Sequence, residues 1–279
     1  MSRALKSAFY RFFSTGLFAK TLIFSVLAGF ILAFYYNSQI NYSDPFSRPR
    51  LLDGGFVSGS LVLLFFVVPV FMAIFCVSFT GSDIAFRAIN NKISTGISRT
   101  QIYLSDLIVS ITASTMVCLL SEIGIFLWTY LWARRVSVRF NSTLIGLIIA
   151  PFIVSAAFTA IYVCTEFFAS SKVLALILSL LIMPCFSIAT TLMSTDLEEP
   201  YKFQYVNEET NEIGWNLNPK YVGGTKREIY TLVLNSSVYS GEVFENGEFK
   251  LTAPAIASGV VVVAFTAAGV ASVRKKEFS

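Results

Sequence analysis

Glu122 is an acid set deep in the apolar run Leu104–Trp132, with Ser121 beside it. An ionised side chain at such a depth costs roughly 2.5–3.5 kcal/mol on insertion scales unless it faces protein or water. Two chemistries fit it: the polar lining of a path that a solute follows, or an interhelical hydrogen bond made by a protonated carboxyl. Asp106 and Glu166 lie closer to the ends of their apolar runs, where Arg99 and Lys172 are the nearest candidate partners. The other group with chemistry in it is the polar break Ser82–Asp106, which carries Arg87, Asn91, Lys92 and Arg99 between two apolar runs. Cations and amides on a short exposed segment recognise a partner surface; they do not make a catalytic centre.

Catalysis is poorly provided for. The 279 residues contain no histidine, which removes the commonest general base and metal ligand. Cys76, Cys118, Cys164 and Cys185 all lie in apolar runs and read as small buried residues, not as disulfides or metal ligands. No nucleophile elbow, H-E-x-x-H or C-x-x-C motif occurs. Gly223-Gly224-Thr225-Lys226 lacks the spacing of a P-loop, so no ATP site is expected in this chain. Hydrophobic residues make up 55% and charged residues only 14%, against about 25% charged in soluble domains. The net charge of +4 has no basic stripe with interleaved aromatics behind it, so a nucleic-acid partner is not expected.

The elements that must hold these residues are membrane helices. A basic amphipathic segment, Met1–Gly16, with Arg3, Lys6 and Arg11 among Leu5, Phe9, Phe12 and Phe13, is expected to lie in the membrane interface. Six apolar runs follow, at 17–36, 56–79, 104–132, 144–168, 173–193 and 253–273, each long enough to span. The first run ends Ala33-Phe34-Tyr35-Tyr36 without a small-x-small cleavage site, so it is expected to be an uncleaved helix, not a signal peptide. Lys20 can snorkel to the interface. A polar loop is expected from Asn37 to Gly55. Pro69, Pro151 and Pro184 interrupt the second, fourth and fifth spans as kinks or hinges. In the sixth span Ala255, Gly259, Ala264, Ala268 and Ser272 give small-residue steps that let helices approach closely, within the chain or at a subunit interface. The whole chain, 1–279, reads as one all-α transmembrane domain with an interfacial N-terminal helix.

The polar break itself has internal order. Phe86, Ile89, Ile93 and Ile97 recur at helical spacing. Asp83 stands where an acid favours a helix dipole. Gly96 supplies a left-handed stop, and Ser98-x-x-Gln101 is a capping box that starts the next helix. Counting Lys and Arg near the span ends places this break, both termini and Lys172 in the cytoplasm, with 194–252 outside. Arg134, Arg135 and Arg139 are the exception, on the outer side near Trp128, Tyr130 and Trp132. The outer segment carries ten acids against five bases. Within it Tyr201–Val206 reads as extended. Thr225-x-x-Glu228 opens an amphipathic helix over 226–236, with Ile229, Leu232 and Val233 on one face against the outer membrane surface. Asn141-Ser142-Thr143 and Asn235-Ser236-Ser237 match the glycosylation sequon and carry little weight.

Two stretches, Asn91-Lys92-Ile93-Ser94-Thr95-Gly96-Ile97-Ser98-Arg99-Thr100-Gln101-Ile102-Tyr103-Leu104-Ser105 and Asn218-Pro219-Lys220-Tyr221-Val222-Gly223-Gly224-Thr225-Lys226-Arg227-Glu228-Ile229-Tyr230, together with the span layout, resemble the membrane (permease) subunit of bacterial ABC-2 type exporters. The resemblance implies an ATPase on a separate chain, two copies per transporter, which holds ATP and Mg. It implies a cytoplasmic coupling helix between spans two and three as the docking element. Carried onto this sequence, that contact involves Phe86, Arg87, Ile89, Asn91, Lys92, Ile93, Ile97 and Arg99. It implies a second membrane subunit, identical or homologous, and a path lined by spans two and five. The residues themselves offer Pro69 and Pro184 in those spans, and Glu122 in span three, as path candidates. The apolar character of those spans suits an amphipathic substrate: a peptide, a lipid-like or a drug-like molecule. The expected location is the bacterial plasma membrane. The alternative is a sensor or scaffold without transport, whose acidic outer segment binds a partner. A membrane enzyme is disfavoured by the missing histidine and unpaired acids, and a secondary transporter by the lack of inverted repeats.

Overall fold

The computed structural model describes residues 2–43, 55–85, 88–132, 142–169, 171–206, 213–236 and 251–275. Its helices are α1 (Ser2–Ser14), α2 (Leu17–Ser43), α3 (Gly55–Cys76), a π-helical turn (Val77–Gly81), α4 (Ser82–Ala85), α5 (Ala88–Ser94), α6 (Arg99–Trp132), α7 (Ser142–Phe168), α8 (Lys172–Glu198), α9 (Gly224–Ser236) and α10 (Thr252–Lys275). Six helices are long and apolar enough to cross a membrane: α2, α3 with its π-turn, α6, α7, α8 and α10. The chain is a helical, multi-pass membrane protein. Between α8 and α9 lies one antiparallel hairpin, β1 (Lys202–Val206) with β2 (Ile213–Leu217). The extended stretch read from the sequence is therefore one arm of a hairpin whose second arm was not expected.

Three helices form the centre. α6 and α7 pack on each other and on α3, α2 and α10 flank them, and α8 lies outside α3. The buried set runs through Leu61, Phe65 and Met72 of α3, Val109 and Val117 of α6, and Leu147, Tyr162 and Phe167 of α7. α8 and α10 stay largely exposed along their length, with Ile177, Leu181, Ile188, Val260 and Val263 facing outward.

In a bilayer, lipid tails are as apolar as leucine, so helices associate through close packing and polar contacts. α2 and α6 do this at Gly29 and Gly124: a Cβ at Gly29 would stand 2.1 Å from the Ser121 carbonyl oxygen, and one at Gly124 3.0 Å from the Val26 carbonyl oxygen. Ser121 Oγ donates to the Ser25 carbonyl at 2.9 Å beside this crossing. α10 meets α6 at Gly269, where the Tyr103 ring fills the space of a side chain and its hydroxyl donates to the Phe265 carbonyl at 3.2 Å.

Three expectations change. The helix of the first span does not stop at Asn37 but runs on to Ser43, since Asn37-Ser38-Gln39 contains no glycine or proline to break it. Of the small-residue steps of the sixth span, Gly259, Ala264 and Ala268 do not pack inside the chain: they are exposed, and a Cβ at Gly259 meets nothing within 4 Å, while Ala255 and Ser272 are half-buried. Inward packing uses Pro254, Ser258, Gly269 and Val273 instead. α1 is docked as well as amphipathic. Its inward stripe is Ala4, Ala8 and Phe12, seated against α6, while Arg3, Lys6, Tyr10 and Phe13 face out.

Pro69, Pro151 and Pro184 all sit inside helices that continue through them. Neighbouring helices and local adjustments satisfy the freed carbonyls in such helices. Arg134, Arg135, Arg139, Asn141 and the tail beyond Lys275 lie outside the described residues.

Candidate functional site

The end of α3, the short helices α4 and α5, and the start of α6 form a connector that doubles back at one face of the bundle. Its local structure follows the sequence signals. Gly96 has φ +85°, with Gly96 N–H on the Ile93 carbonyl at 2.9 Å and Ile97 N–H on the Lys92 carbonyl at 3.2 Å. That pair of bonds is a Schellman motif closing α5. Ser98 Oγ accepts from Gln101 N–H at 3.3 Å, and Gln101 Oε1 accepts from Ser98 N–H at 3.4 Å, which is the capping box that opens α6.

Ile89 is buried, and Ile93 and Ile97 are half-buried against the main core. The isoleucine stripe therefore fastens the connector to the bundle. What it offers outward is the polar tip Asn91, Ser94, Thr95, Gly96 and Ser98, all exposed. Arg99 is half-buried at the first turn of α6. Phe86 and Arg87 lie outside the described residues.

Behind the tip is a charge cluster that no sequence argument placed. Arg11 of α1 reaches two acids at once. Its Nη1 meets Asp83 Oδ2 of α4, and its Nη2 donates to Asp106 Oδ1 of α6 at 3.1 Å. Lys92 Nζ of α5 donates to the same Asp83 Oδ2 at 2.5 Å. The Arg11 guanidinium also lies over the Phe79 ring, 3.9 Å from its centroid. Two cations and two acids balance, and they tie α1, α4, α5 and α6 into one knot. The Asp106 side chain is 0% exposed. Burial holds Lys92 below the ordinary lysine range, opposed by the charge of Asp106 and reinforced by that of Arg11. Burial likewise lowers Arg11, opposed by its charge contact and hydrogen bond with Asp106. Arg11 remains a cation, since guanidinium does not deprotonate in proteins.

The partner expected for Asp106 was Arg99; the partner found is Arg11, 95 residues upstream. One signal was available in the sequence. Arg11 follows Ala4 and Ala8 at helical spacing and so falls on the inward stripe of α1, whereas Arg3 and Lys6 do not. Glu166 of α7 lies buried against the π-turn. A Cβ at Gly81 would come 2.7 Å from its Oε2, and Lys172 packs on the same spot. No ion pair between Glu166 and Lys172 occurs among the described residues.

The path candidates separate. Glu122 is 6% exposed on α6, and its Oε1 has no hydrogen-bond partner among the described residues. One turn away Cys118 Sγ is 3.3 Å from Ser155 Oγ of α7. Pro69 is buried inside α3, and Pro184 is exposed on the outer side of α8. The three are not gathered into one site. Among the described residues no group of His, Cys, Asp or Glu is placed to hold a metal ion. Comparisons with protein-family models, curated proteins and solved structures find no match.

Proposed function

We propose that this chain is the membrane subunit of an ATP-driven exporter of the ABC-2 type, with the connector as the docking point of a separate ATPase subunit. The observation that carries this reading is the build of the connector. It is a short helix stopped by a Schellman motif and followed by a capped 34-residue helix. Its apolar side is sunk in the bundle and its polar tip is free. A push on such a tip is delivered to α5 and α6 as a body, because Asp83, Lys92, Asp106 and Arg11 hold the short helices to the spans.

In this reading the connector, both termini and Lys172 are cytoplasmic, the hairpin and α9 lie outside, and the membrane is the bacterial plasma membrane. ATP and Mg stay on the partner, two copies of which serve one transporter. The exposed side of α10, with Gly259, Ala264 and Ala268, and the apolar side of α8 offer seats for a second membrane subunit. The path between the two subunits takes an amphipathic substrate, and Glu122 is its polar station on α6.

The test is ATP-driven transport of a fluorescent amphipathic peptide in proteoliposomes holding the chain with its ATPase. Ile93→Pro breaks α5, and Arg99→Glu reverses charge at the docking edge. Both variants are expected to insert normally while ATP hydrolysis no longer drives transport; normal transport by both would sink the docking proposal. In the same assay Glu122→Gln is expected to change the transport rate with the thermal unfolding midpoint held. An unchanged rate with a shifted midpoint assigns Glu122 to helix packing.

A further inference from the structure

Among the described residues, the hairpin after α8 is short of cover. Two strands of five residues each pair, among the described residues, only through their own ladder, Lys202 opposite Leu217 and Gln204 opposite Trp215. An isolated two-stranded hairpin is at best marginally stable in water. Alternation places Lys202, Gln204, Trp215 and Leu217 on one face, and Trp215 and Leu217 remain 60% and 62% exposed. Tyr201 at the base is exposed as well.

The base is fixed to the end of a span. Asn218 N–H donates to the Tyr201 carbonyl at 3.0 Å, adding a rung below the strands. Asn218 Nδ2 donates to Glu199 Oε2 at 2.8 Å. Tyr221 meets the Tyr201 ring edge-on at 5.2 Å. Arg227 of α9 then donates to the Leu197 carbonyl at the end of α8, at 3.3 Å. Only residues 199–201 separate α8 from β1, so the hairpin begins within about 14 Å of the helix end. α8 itself, at about 1.5 Å per residue over 27 residues, is long enough to carry its end into the headgroup layer. An exposed Trp and Tyr beside a Lys, fixed at that depth, is the composition of a membrane-interface belt.

We infer that the Trp215–Leu217 face of the hairpin lies in the lipid headgroup region at the end of α8, with the bilayer surface as its partner. The lipid supplies the cover that the two strands lack. Trp215 sits with its ring at the headgroup boundary, and Lys202 reaches toward phosphate oxygens. This inference does not rest on the exporter reading and holds for either leaflet.

The experiment uses the full chain with Trp128→Phe and Trp132→Phe, so that Trp215 is the single emitter, in phosphatidylcholine vesicles. Lipids brominated near the headgroup end of the acyl chain are expected to quench Trp215 strongly. Lipids brominated near the chain terminus quench it less, and aqueous acrylamide has weak access. Strong acrylamide quenching without lipid quenching overturns the inference, and so does shielding from both, which would mean protein cover such as a second copy. Cys76, Cys118 and Cys164 are buried as expected, but Cys185 is exposed; should removal of the buried Trp128 impair folding, Leu217→Cys in a Cys185→Ala background therefore carries a nitroxide instead. Collisions with oxygen are then expected to exceed those with a water-soluble nickel chelate, and the reverse order overturns the inference.

Discussion

Arg11→Ala destabilises the protein by about 3–5 kcal/mol, the range measured when one partner of a buried ion pair is removed. The variant leaves Asp83 and Asp106 facing an emptied pocket, one of them with a side chain wholly shielded from solvent. Asp106 then keeps only the charge of Lys92, which is itself engaged with Asp83. Arg11→Lys recovers part of the loss and not all. The two acids are held by two different guanidinium nitrogens, and an ammonium offers one nitrogen and no planar fork. Arg11→Met with Asp106→Asn is milder than Arg11→Ala alone, because the buried charge goes with its partner. Thermal unfolding in detergent reads the series. A wild-type midpoint for Arg11→Ala contradicts the account of how α1 is held. With Arg11 gone, α1 loses its ion pairs to α4 and α6 and is held by the packing of Ala4, Ala8 and Phe12 alone.

The second large effect is at the α2–α6 crossing. Gly29→Ala drives a methyl group to 2.1 Å from the Ser121 carbonyl oxygen, and backbone cannot rotate away as a side chain can. Overpacking of this kind costs about 1–3 kcal/mol, and more where the obstruction is rigid. The helices must part, which also breaks the Ser121–Ser25 hydrogen bond. Gly124→Ala is milder, since its methyl stands 3.0 Å from the Val26 carbonyl oxygen. Gly259→Ala on α10 meets open space and leaves stability unchanged. The order of midpoints, Gly259→Ala above Gly124→Ala above Gly29→Ala, is the expected result. Equal midpoints for all three contradict the close crossing.

What the sequence made legible, and what it did not, divides along a physical line. Features set by neighbours in the chain came through. The six spans are long apolar runs, the stop of α5 needs a residue at positive φ and finds Gly96, and the start of α6 needs a capping pair and finds Ser98 and Gln101. Features set by contacts across the chain did not. That Arg11 serves Asp106 depends on how α1 lies over α6. The orientation of α10 depends on which side meets Tyr103, so Gly269 packs while Gly259 does not. The isoleucine stripe shows both cases: its helical spacing was visible, but its burial against the protein's own core was not. The second hairpin strand was hidden for a similar reason. Ile213–Leu217 has a polar residue and a glycine within five positions, and acquires its extended form only opposite Lys202–Val206.

Docking of an ATPase on the connector, as proposed, is read out by a mild-detergent pull-down of the intact chain from its native membrane. A soluble ATPase is expected to copurify in stoichiometric amount and to be lost when Ile93→Pro and Arg99→Glu are introduced into a chain that still inserts. A purified chain without any ATPase, holding instead a partner through the segment between α8 and α10, contradicts it.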